Sequence, residues 1–564
     1  MSQSQKKQNF LHGAALLAGA TAIVKIIGAL YKIPLQRIIG DDGFAYFSTA
    51  YEIYTVLLLI STAGLPVAMS RMISQANALG NSNQVRRVYK TSRLIFLILG
   101  AVSTLLMLVF CRQLAQWQEQ PQAAFSIICL APCAFLMGIM STYRGFFQGQ
   151  GNMRPTSVSQ VIEAVFKLVA GLLGAIAILQ FTGSIPLAAG GAILGVTVSC
   201  VVSAIYLFLC VRKSYGDLGS SEGEVLSYKK TAGRLLAIAI PITIGAAGLQ
   251  ILTVVETGLY MDRLVFLLET GQYSSPLIPQ LREDVIRKAL EADPSAVLTE
   301  KEIAHGIAAN LKGIYNMSQT VYNMPNAFIA PITISIIPAI TNHLTLKRDD
   351  GVRSTEESAC RIASLISMPC AVGLILLSKP IMALLGGYTG EKLVLASQLM
   401  SLLGVSIFLH AAVLLTNAIM QAHNHANIPV VNMLCCGGLK LLLVYILVSN
   451  PAIGILGVPL GTAIGNLCIA VLNIFAISRC VPQKPRIIRN LLRSLLPALL
   501  MGAVALAVYY LLGSLTESRI LLCALPVGAG GVVYLIAAIF LRAFTKDDCL
   551  LLPKGDKIAK LLHL

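Results

Sequence analysis

The chain has 564 residues, 56% of them hydrophobic and only 12% charged, with a mean hydropathy of +0.75. A water-soluble protein of this length carries about twice that charged fraction, so the composition excludes a soluble enzyme and identifies an all-α polytopic membrane protein. The net charge of +17 does not require a nucleic-acid partner, because most of the basic residues fall in segments on one side of the membrane.

Breaks at charge clusters and Pro/Gly turns place apolar spans near 10–33, 46–70, 90–111, 122–147, 155–180, 187–211, 233–261, 312–341, 360–385, 395–421, 428–449, 454–478, 490–513 and 519–543. Each is long enough to cross a hydrocarbon core of roughly 30 Å, giving fourteen transmembrane helices. The first span follows only Lys6 and Lys7 and lacks a small-residue cleavage site, so it is expected to be retained rather than removed as a signal peptide. With an internal amino terminus, the inside segments hold 28 of the 43 basic residues. Six of the remainder, Arg263, Arg282, Arg287, Lys288, Lys301 and the bordering Lys312, are counted with one long external loop, about 262–311. This bias places both termini in the cytoplasm. Within the loop, residues 279–292 put Leu281, Val285, Ile286 and Leu290 at helical spacing among charges, as in a surface amphipathic helix.

The chain repeats itself. Lys167 follows Gln148 by 19 residues, Lys440 follows Gln421 by the same interval, and the two copies are 273 residues apart. The same offset relates Pro186-Leu187 to Pro459-Leu460, and Pro66 and Pro338 fall one residue short of it. Because the offset covers six spans, an even number, the copies face the same way and form two parallel six-helix repeats. The expected domains are an N-lobe at 1–213, a cytoplasmic linker at 214–232, a C-lobe at 233–480, and residues 481–564 with the last two spans and a cytoplasmic tail.

Four lysines lie within or beside spans: Lys25, Lys32, Lys167 and Lys440. An ammonium deep in a membrane is costly and is expected to work for its place. Lys167 and Lys440 have three readings: a lumen-facing cation for an anionic substrate, an internal ion pair, or a stem snorkelling to the surface. Glu163 is the natural ion-pair partner of Lys167, at i, i+4. Lys25 and Lys32, seven apart, share a face of span one. The acids inside spans are Glu52, Glu163 and Glu256, and Glu52 and Glu256 are read as cavity-mouth or inter-helix polar contacts, with charge relay as the weaker alternative. With Gln148 and Gln421 these residues form the candidate substrate site. Pro66, Pro325 and Pro338 lie too deep for helix ends and are expected to kink their spans.

The thirteen cysteines are scattered as apolar packers, and the His423-x-His425 pair lacks a third ligand, so neither a metal nor a cofactor is expected. A coupling ion or the membrane potential is left as the energy source. The sequence holds no P-loop, no G-x-S-x-G and no H-E-x-x-H, and it does not read as an enzyme.

Residues 25–71, with YKIPL and STAGLPVAMSR, and residues 143–169, YRGFFQGQGNMRPTSVSQVIEAVFKLV, resemble the SpoVB/YtgP (stage V sporulation protein B-like) group of polysaccharide-biosynthesis transporters. So do NMPNAFIAPITISIIPAI and LLSKPIMALL in the second half. That group is related to the MurJ lipid II flippases and the MATE exporters. The resemblance implies a MATE/MurJ-like fold in the bacterial cytoplasmic membrane. It also implies alternating-access transport of an undecaprenyl-linked, lipid II-type saccharide for peptidoglycan or spore-wall assembly. The implied partners are a lipid-linked oligosaccharide with a polyprenyl diphosphate and the surrounding membrane lipids, with the protein expected as a monomer. In MurJ-like flippases cavity arginines are thought to hold the diphosphate. This chain departs there, with Lys25 and Lys32 in span one, point charges without the guanidinium fork. The last two spans are implied to support the polyprenyl tail. Two alternatives stand beside the flippase: a cation-coupled multidrug exporter of the MATE type, and a membrane enzyme or scaffold of lipid-linked sugar assembly.

Overall fold

A computed structural model describes residues 3–62, 64–216, 218–219, 224–292, 294–295, 297–425, 427–541 and 543. Every regular element among them is helical, as it must be where lipid offers the backbone no hydrogen-bonding partner. In chain order they are α1 (Gln3–Thr62), α2 (Leu65–Ala78), α3 (Ser82–Val109), α4 (Cys111–Trp117), α5 (Ala124–Gly149), α6 (Arg154–Thr182) and α7 (Ile185–Gly216). There follow α8 (Tyr228–Glu269), α9 (Leu277–Ala292), α10 (Glu300–Thr345), α11 (Asp349–Leu376), α12 (Ser378–Leu385) and α13 (Gly390–Ala422). The chain ends in α14 (Asn427–Val448), α15 (Gly457–Cys480), α16 (Ile487–Leu491), α17 (Leu495–Gly513) and α18 (Arg519–Phe540).

Eleven helical stretches of the described residues are long and apolar enough to cross a membrane. The first, Gly19–Ala78, takes in both of the first two expected spans. Those spans are not separated by a loop at 34–45. α1 is continuous through them except at Gly40, whose φ of 72° is left-handed, a conformation glycine adopts without penalty. The spans expected at 233–261 and 312–341 lie in α8 and α10, which are 42 and 46 residues long and are not among the eleven.

Two further expectations are corrected. The long external loop is largely helical: α8 runs on to Glu269 and α10 starts at Glu300, so the stretches between helices flank α9 alone. α9 itself is the amphipathic helix expected there, with Leu281 buried and Leu290 exposed. Pro66 does not kink a span from within, because it stands in the first turn of α2 behind Gly64, where the missing amide proton removes no helical bond. Pro325 and Pro338 do lie inside α10, although the side chain of Pro338 is outside the described ones. The expected cytoplasmic tail from 544 onward is outside the described residues.

Contacts group the chain into two compact units, one of 1–270 with 281–313 and one of 271–280 with 314–564. This grouping is not the division at the 214–232 linker, because α8 and the start of α10 are counted with the first unit. In the first unit, α6 and α7 cross backbone to backbone. A Cβ on Gly195 would fall 2.2 Å from the Gly171 nitrogen, and Gly174 and Gly191 each sit 2.6 Å from the other's carbonyl oxygen by the same measure. Small residues permit this approach in a bilayer, where dispersion rather than water exclusion holds helices together. Tyr31 of α1 closes the seam by donating from Oη to the Ala192 carbonyl at 3.1 Å. In the second unit the C-terminal helices dock on α11. Gly502 of α17 meets Val372 and Leu376, and Tyr534 of α18 donates to the Leu365 carbonyl at 2.7 Å.

Substituting Gly195→Leu is expected to cost on the order of 3 kcal/mol by overpacking the α6–α7 crossing. The check is a fall in the thermal midpoint of detergent-solubilised protein, with Gly531→Leu, whose Cβ meets nothing within 4 Å, left near the parent value.

Candidate functional site: a buried lysine cluster

The second arm of α1 carries an aromatic row, Phe44, Phe47, Tyr51 and Tyr54, at helical spacing with ring centroids about 6 Å apart. Phe44, Phe47 and Tyr54 are buried, which fixes the rotation of this arm and sets Tyr51 and Glu52 toward a group of cations. The Lys167 ammonium lies 5.9 Å from the Tyr51 ring centroid, within cation–π range. Lys32 is in electrostatic reach of both Lys167 and Glu52. Lys167 stands thirteen residues after Arg154, the first residue of α6, which a rise of 1.5 Å per residue puts about 20 Å along the helix. That is near the middle of the 29-residue helix.

A third cation completes the cluster, and the sequence reading placed it wrongly. Lys312 was counted with the external loop, yet it lies inside α10 and is wholly buried. Its Nζ donates to Thr49 Oγ1 at 2.6 Å and is 3.6 Å from Glu52 Oε2. The available signal was its setting, Leu311-Lys312-Gly313 beside an apolar run, which fits a buried helix as well as a loop.

The partner of Glu163 also differs from expectation. Its carboxylate takes a 2.9 Å bond from the Arg144 guanidinium of α5, and Arg144 Nε donates to Ser159 Oγ at 3.1 Å. Arginine, reaching across from the neighbouring helix with a planar fork, outcompetes an i+4 lysine whose ammonium is drawn to the Tyr51 ring. Lys167 still feels Glu163 electrostatically, but the close ion pair is with Arg144.

The other sequence candidates are dispersed. Lys25 is exposed between Ile23 and Ile26, and among the described residues no hydrogen bond or ion pair joins it to the cluster. Glu256 is buried on α8 in the first unit. Gln148 is half-buried in the last turn of α5, about 20 Å along the α6 axis from the level of Lys167. In the second unit Gln421 is exposed near the end of α13. Lys440 stands thirteen residues after Asn427, the first residue of α14, the same register as Lys167 in α6. Its aliphatic stem packs on Gly465, and it is in electrostatic reach of His410.

Two polar groups of the second unit were not foreseen. Asn473, fully buried, donates to Asn417 at 2.8 Å and to Thr416 at 3.1 Å, and accepts from Asn432 at 3.0 Å, tying α13, α14 and α15 together. His423 Nε2 is 2.7 Å from the buried Glu356 carboxylate, while His425 is exposed. Among the described residues no group of three or more His, Cys, Asp or Glu is placed to hold a metal.

A family model described as polysaccharide biosynthesis protein matches residues 10–343, more than half of the chain. The chain belongs to that family. A second model, described as lipid II flippase MurJ, matches residues 296–525. Stage V sporulation protein B of Bacillus subtilis (strain 168) is 22% identical over 97% of this chain and 98% of its own length. Lipid II flippase MurJ of the same organism is 24% identical over 93% and 94%. Among solved structures, lipid II flippase MurJ in an inward closed conformation matches 94% of this chain and 99% of that one, with a TM-score of 0.64 and 15% identity. An inward-facing MATE family multidrug transporter matches 83% and 95%, with a TM-score of 0.58 and 17% identity. The protein is therefore a multi-pass member of the polysaccharide biosynthesis protein family, helical throughout its described regular elements, with the MurJ/MATE-like fold.

Removing Lys312 alone leaves the Glu52 carboxylate without its cation, so Lys312→Met is expected to destabilise the protein on the order of 3 kcal/mol. Adding Glu52→Gln should recover more than half of that loss. Thermal midpoints of the two single variants and the double variant measure the coupling, and additive losses would contradict it.

Proposed function

We propose that the protein is a flippase that moves an undecaprenyl-linked, lipid II-type cell-wall saccharide across the bacterial cytoplasmic membrane by alternating access, its diphosphate held by the lysines of the first unit. The observation that carries this reading is an imbalance of charge. Among the described residues, Lys32, Lys167, Lys312 and Arg144 are gathered around the carboxylates Glu52 and Glu163. Excess cationic charge in a membrane-spanning region is expensive unless something anionic visits it. A diphosphate diester brings a matching pair of negative charges, and lysine binds phosphate as a point charge. Span-one binding passes from Lys25 to Lys32 in this reading, and Lys440 with His410 supplies the corresponding place in the second repeat.

The architecture that goes with it has fourteen spans: two in the stretch before Ala78, α8 and α10 as spans seven and eight, and the remaining ten stretches. Both termini are cytoplasmic, the lobes are 1–213 and 233–480, and α17 and α18 support the polyprenyl tail. The shared register of Lys167 and Lys440 in α6 and α14 supports the parallel repeat. Glu256 and Gln148 serve the substrate within the first unit, Gln421 has the place of Gln148 in the second repeat, and the prolines of α10 let that helix bend. The protein works as a monomer without a resident cofactor, driven by a coupling ion or the membrane potential. A cation-coupled drug exporter would instead want a deep acid left available, and here Glu163 is engaged by Arg144.

The test is flipping of fluorescent lipid II in proteoliposomes, together with rescue of a strain depleted of its own lipid II flippase. A charge-assisted contact contributes about 1.5–3 kcal/mol. Lys32→Gln and Lys167→Gln should therefore each lower the rate roughly ten- to a hundredfold at normal abundance, with the arginine variants intermediate. Parent-like rates in both glutamine variants would end this reading.

A further inference from the structure

In the second unit, residues 481–486 join two stretches long and apolar enough to cross a membrane, 454–480 and 487–513. The chain therefore turns here at the edge of the apolar layer, the level at which phospholipid head groups lie. The turn is held firmly to α11. Gln483 Nε2 donates to Asp349 Oδ1 at 2.8 Å, the Arg486 amide donates to Glu357 Oε1 at 3.2 Å, and Arg361 Nη1 donates to Asn490 Oδ1 at 3.2 Å. Asn490 Nδ2 in turn donates to the Arg486 carbonyl at 2.9 Å, and Val481, Ile487 and Leu491 are buried. Side chains carried on this turn start from a fixed backbone.

Three cations take no part in this anchoring. Lys484, Arg486 and Arg489 are exposed, and among the described residues no hydrogen bond or ion pair engages their charged groups. The carboxylates that the turn touches are already taken. Glu357 receives Arg353 Nε at 3.1 Å as well as the Arg486 amide, and Asp349 receives Gln483. The three cationic residues line one cavity of about 260 Å³. Its apolar walls are Ile474 and Ile477 of α15 and Ile488 of α16, the last 60% exposed. Like charges brought together without a counter-ion repel one another, and a bare isoleucine beside them is better covered than wetted. A ligand that satisfies both has a compact anion at one end and hydrocarbon at the other.

We propose that this cavity binds an anionic membrane phospholipid, its phosphodiester held by Lys484, Arg486 and Arg489 and the first part of an acyl chain laid on Ile474, Ile477 and Ile488. Phosphate oxygens accept from ammonium and guanidinium donors, and the guanidinium fork engages two oxygens at once. A soluble phosphate would use the cations and leave the isoleucines wet. A zwitterionic lipid would cover the isoleucines but bring its own ammonium, which cancels part of the attraction. A lipid of net negative charge answers both demands. The proposal concerns the second unit alone and does not depend on what the lysines of the first unit carry.

Lipid binding to the full-length protein in detergent micelles, read by native mass spectrometry as the affinity of the first lipid bound, tests it. Dioleoylphosphatidylglycerol should bind roughly tenfold tighter than dioleoylphosphatidylcholine. The triple variant Lys484→Gln, Arg486→Gln, Arg489→Gln should lose that preference and bind phosphatidylglycerol roughly tenfold more weakly than the parent. Its thermal midpoint in lipid-free detergent should be unchanged, because the three side chains hold nothing in the fold. Removing the same charge from exposed residues of the first unit, in Lys229→Gln, Lys230→Gln, Arg234→Gln, should leave the affinity within about twofold, since distant exposed charges are screened. Glycerol 3-phosphate, which has the anion without the chains, should compete only at roughly hundredfold higher concentration. Equal binding of the two lipids by the parent overturns the proposal, as does undiminished affinity in the 484/486/489 variant. An equal loss in both triple variants overturns it in favour of general attraction to a basic surface. Equal competition by glycerol 3-phosphate overturns it in favour of a site for a soluble anion.

Discussion

An ammonium carried into a bilayer has to find either a counter-charge or a reason to be tolerated without one, and much of the first unit is arranged around this requirement. Lys312 has Thr49 and Glu52, Arg144 has Glu163, and Lys167 has the face of Tyr51. Each of these partners is itself held by neutral packing. The stacked aromatic row of α1 fixes Tyr51 and Glu52, and the glycine crossing of α6 and α7 lets Lys167 approach α1 without a gap. Tyr31, reaching from α1 to the Ala192 carbonyl, ties the two arrangements together. The charge would be ruinous on a loose scaffold, because a buried ion whose partner drifts by a few ångströms loses most of its compensation.

Much of this was legible in the sequence. The membrane class followed from composition, and the mid-helix position of Lys167 and Lys440 from their place in apolar runs. Their identical placement in α6 and α14 agrees with the interval that drew attention to them. What the sequence could not supply was lateral information. An i, i+4 spacing made Glu163 the evident partner of Lys167, but Arg144, nineteen residues earlier and across a turn, is invisible to any local pattern. Lys312 was misplaced for a related reason. Helix α10 begins twelve residues before it with polar, charged sequence, and hydropathy alone reads a polar first turn as loop. A helix whose first turns are polar and whose later turns are apolar defeats any window that equates helix with hydrophobicity.

The comparison of the two units is instructive about how polar groups are tolerated. The first unit gathers Lys32, Lys167, Lys312 and Arg144 around two carboxylates, whereas α13, α14 and α15 of the second are joined by amides, with Asn473 bonded to Asn417, Asn432 and Thr416. Neutral amides pair reciprocally and leave no net charge, so they bind α13, α14 and α15 without creating an electrostatic demand for a ligand. A cluster with surplus cations creates one. The same fold therefore holds one region joined by neutral amides and another where formal charges gather.

Gly40 interrupts an otherwise unbroken helix, and this makes it an origin from which distances on both sides are counted. Lys32 lies eight residues before it and Glu52 twelve after, with no loop in either interval to absorb an error. Inserting a single residue between Gly40 and Glu52 would turn everything beyond it by about 100° and advance it about 1.5 Å. Glu52 would rotate away from Lys312, Tyr51 away from Lys167, and the aromatic row into lipid. Point changes in this arm can be graded in effect, but changes in its length cannot. Over the course of descent, this stretch should accept substitutions while keeping its residue count.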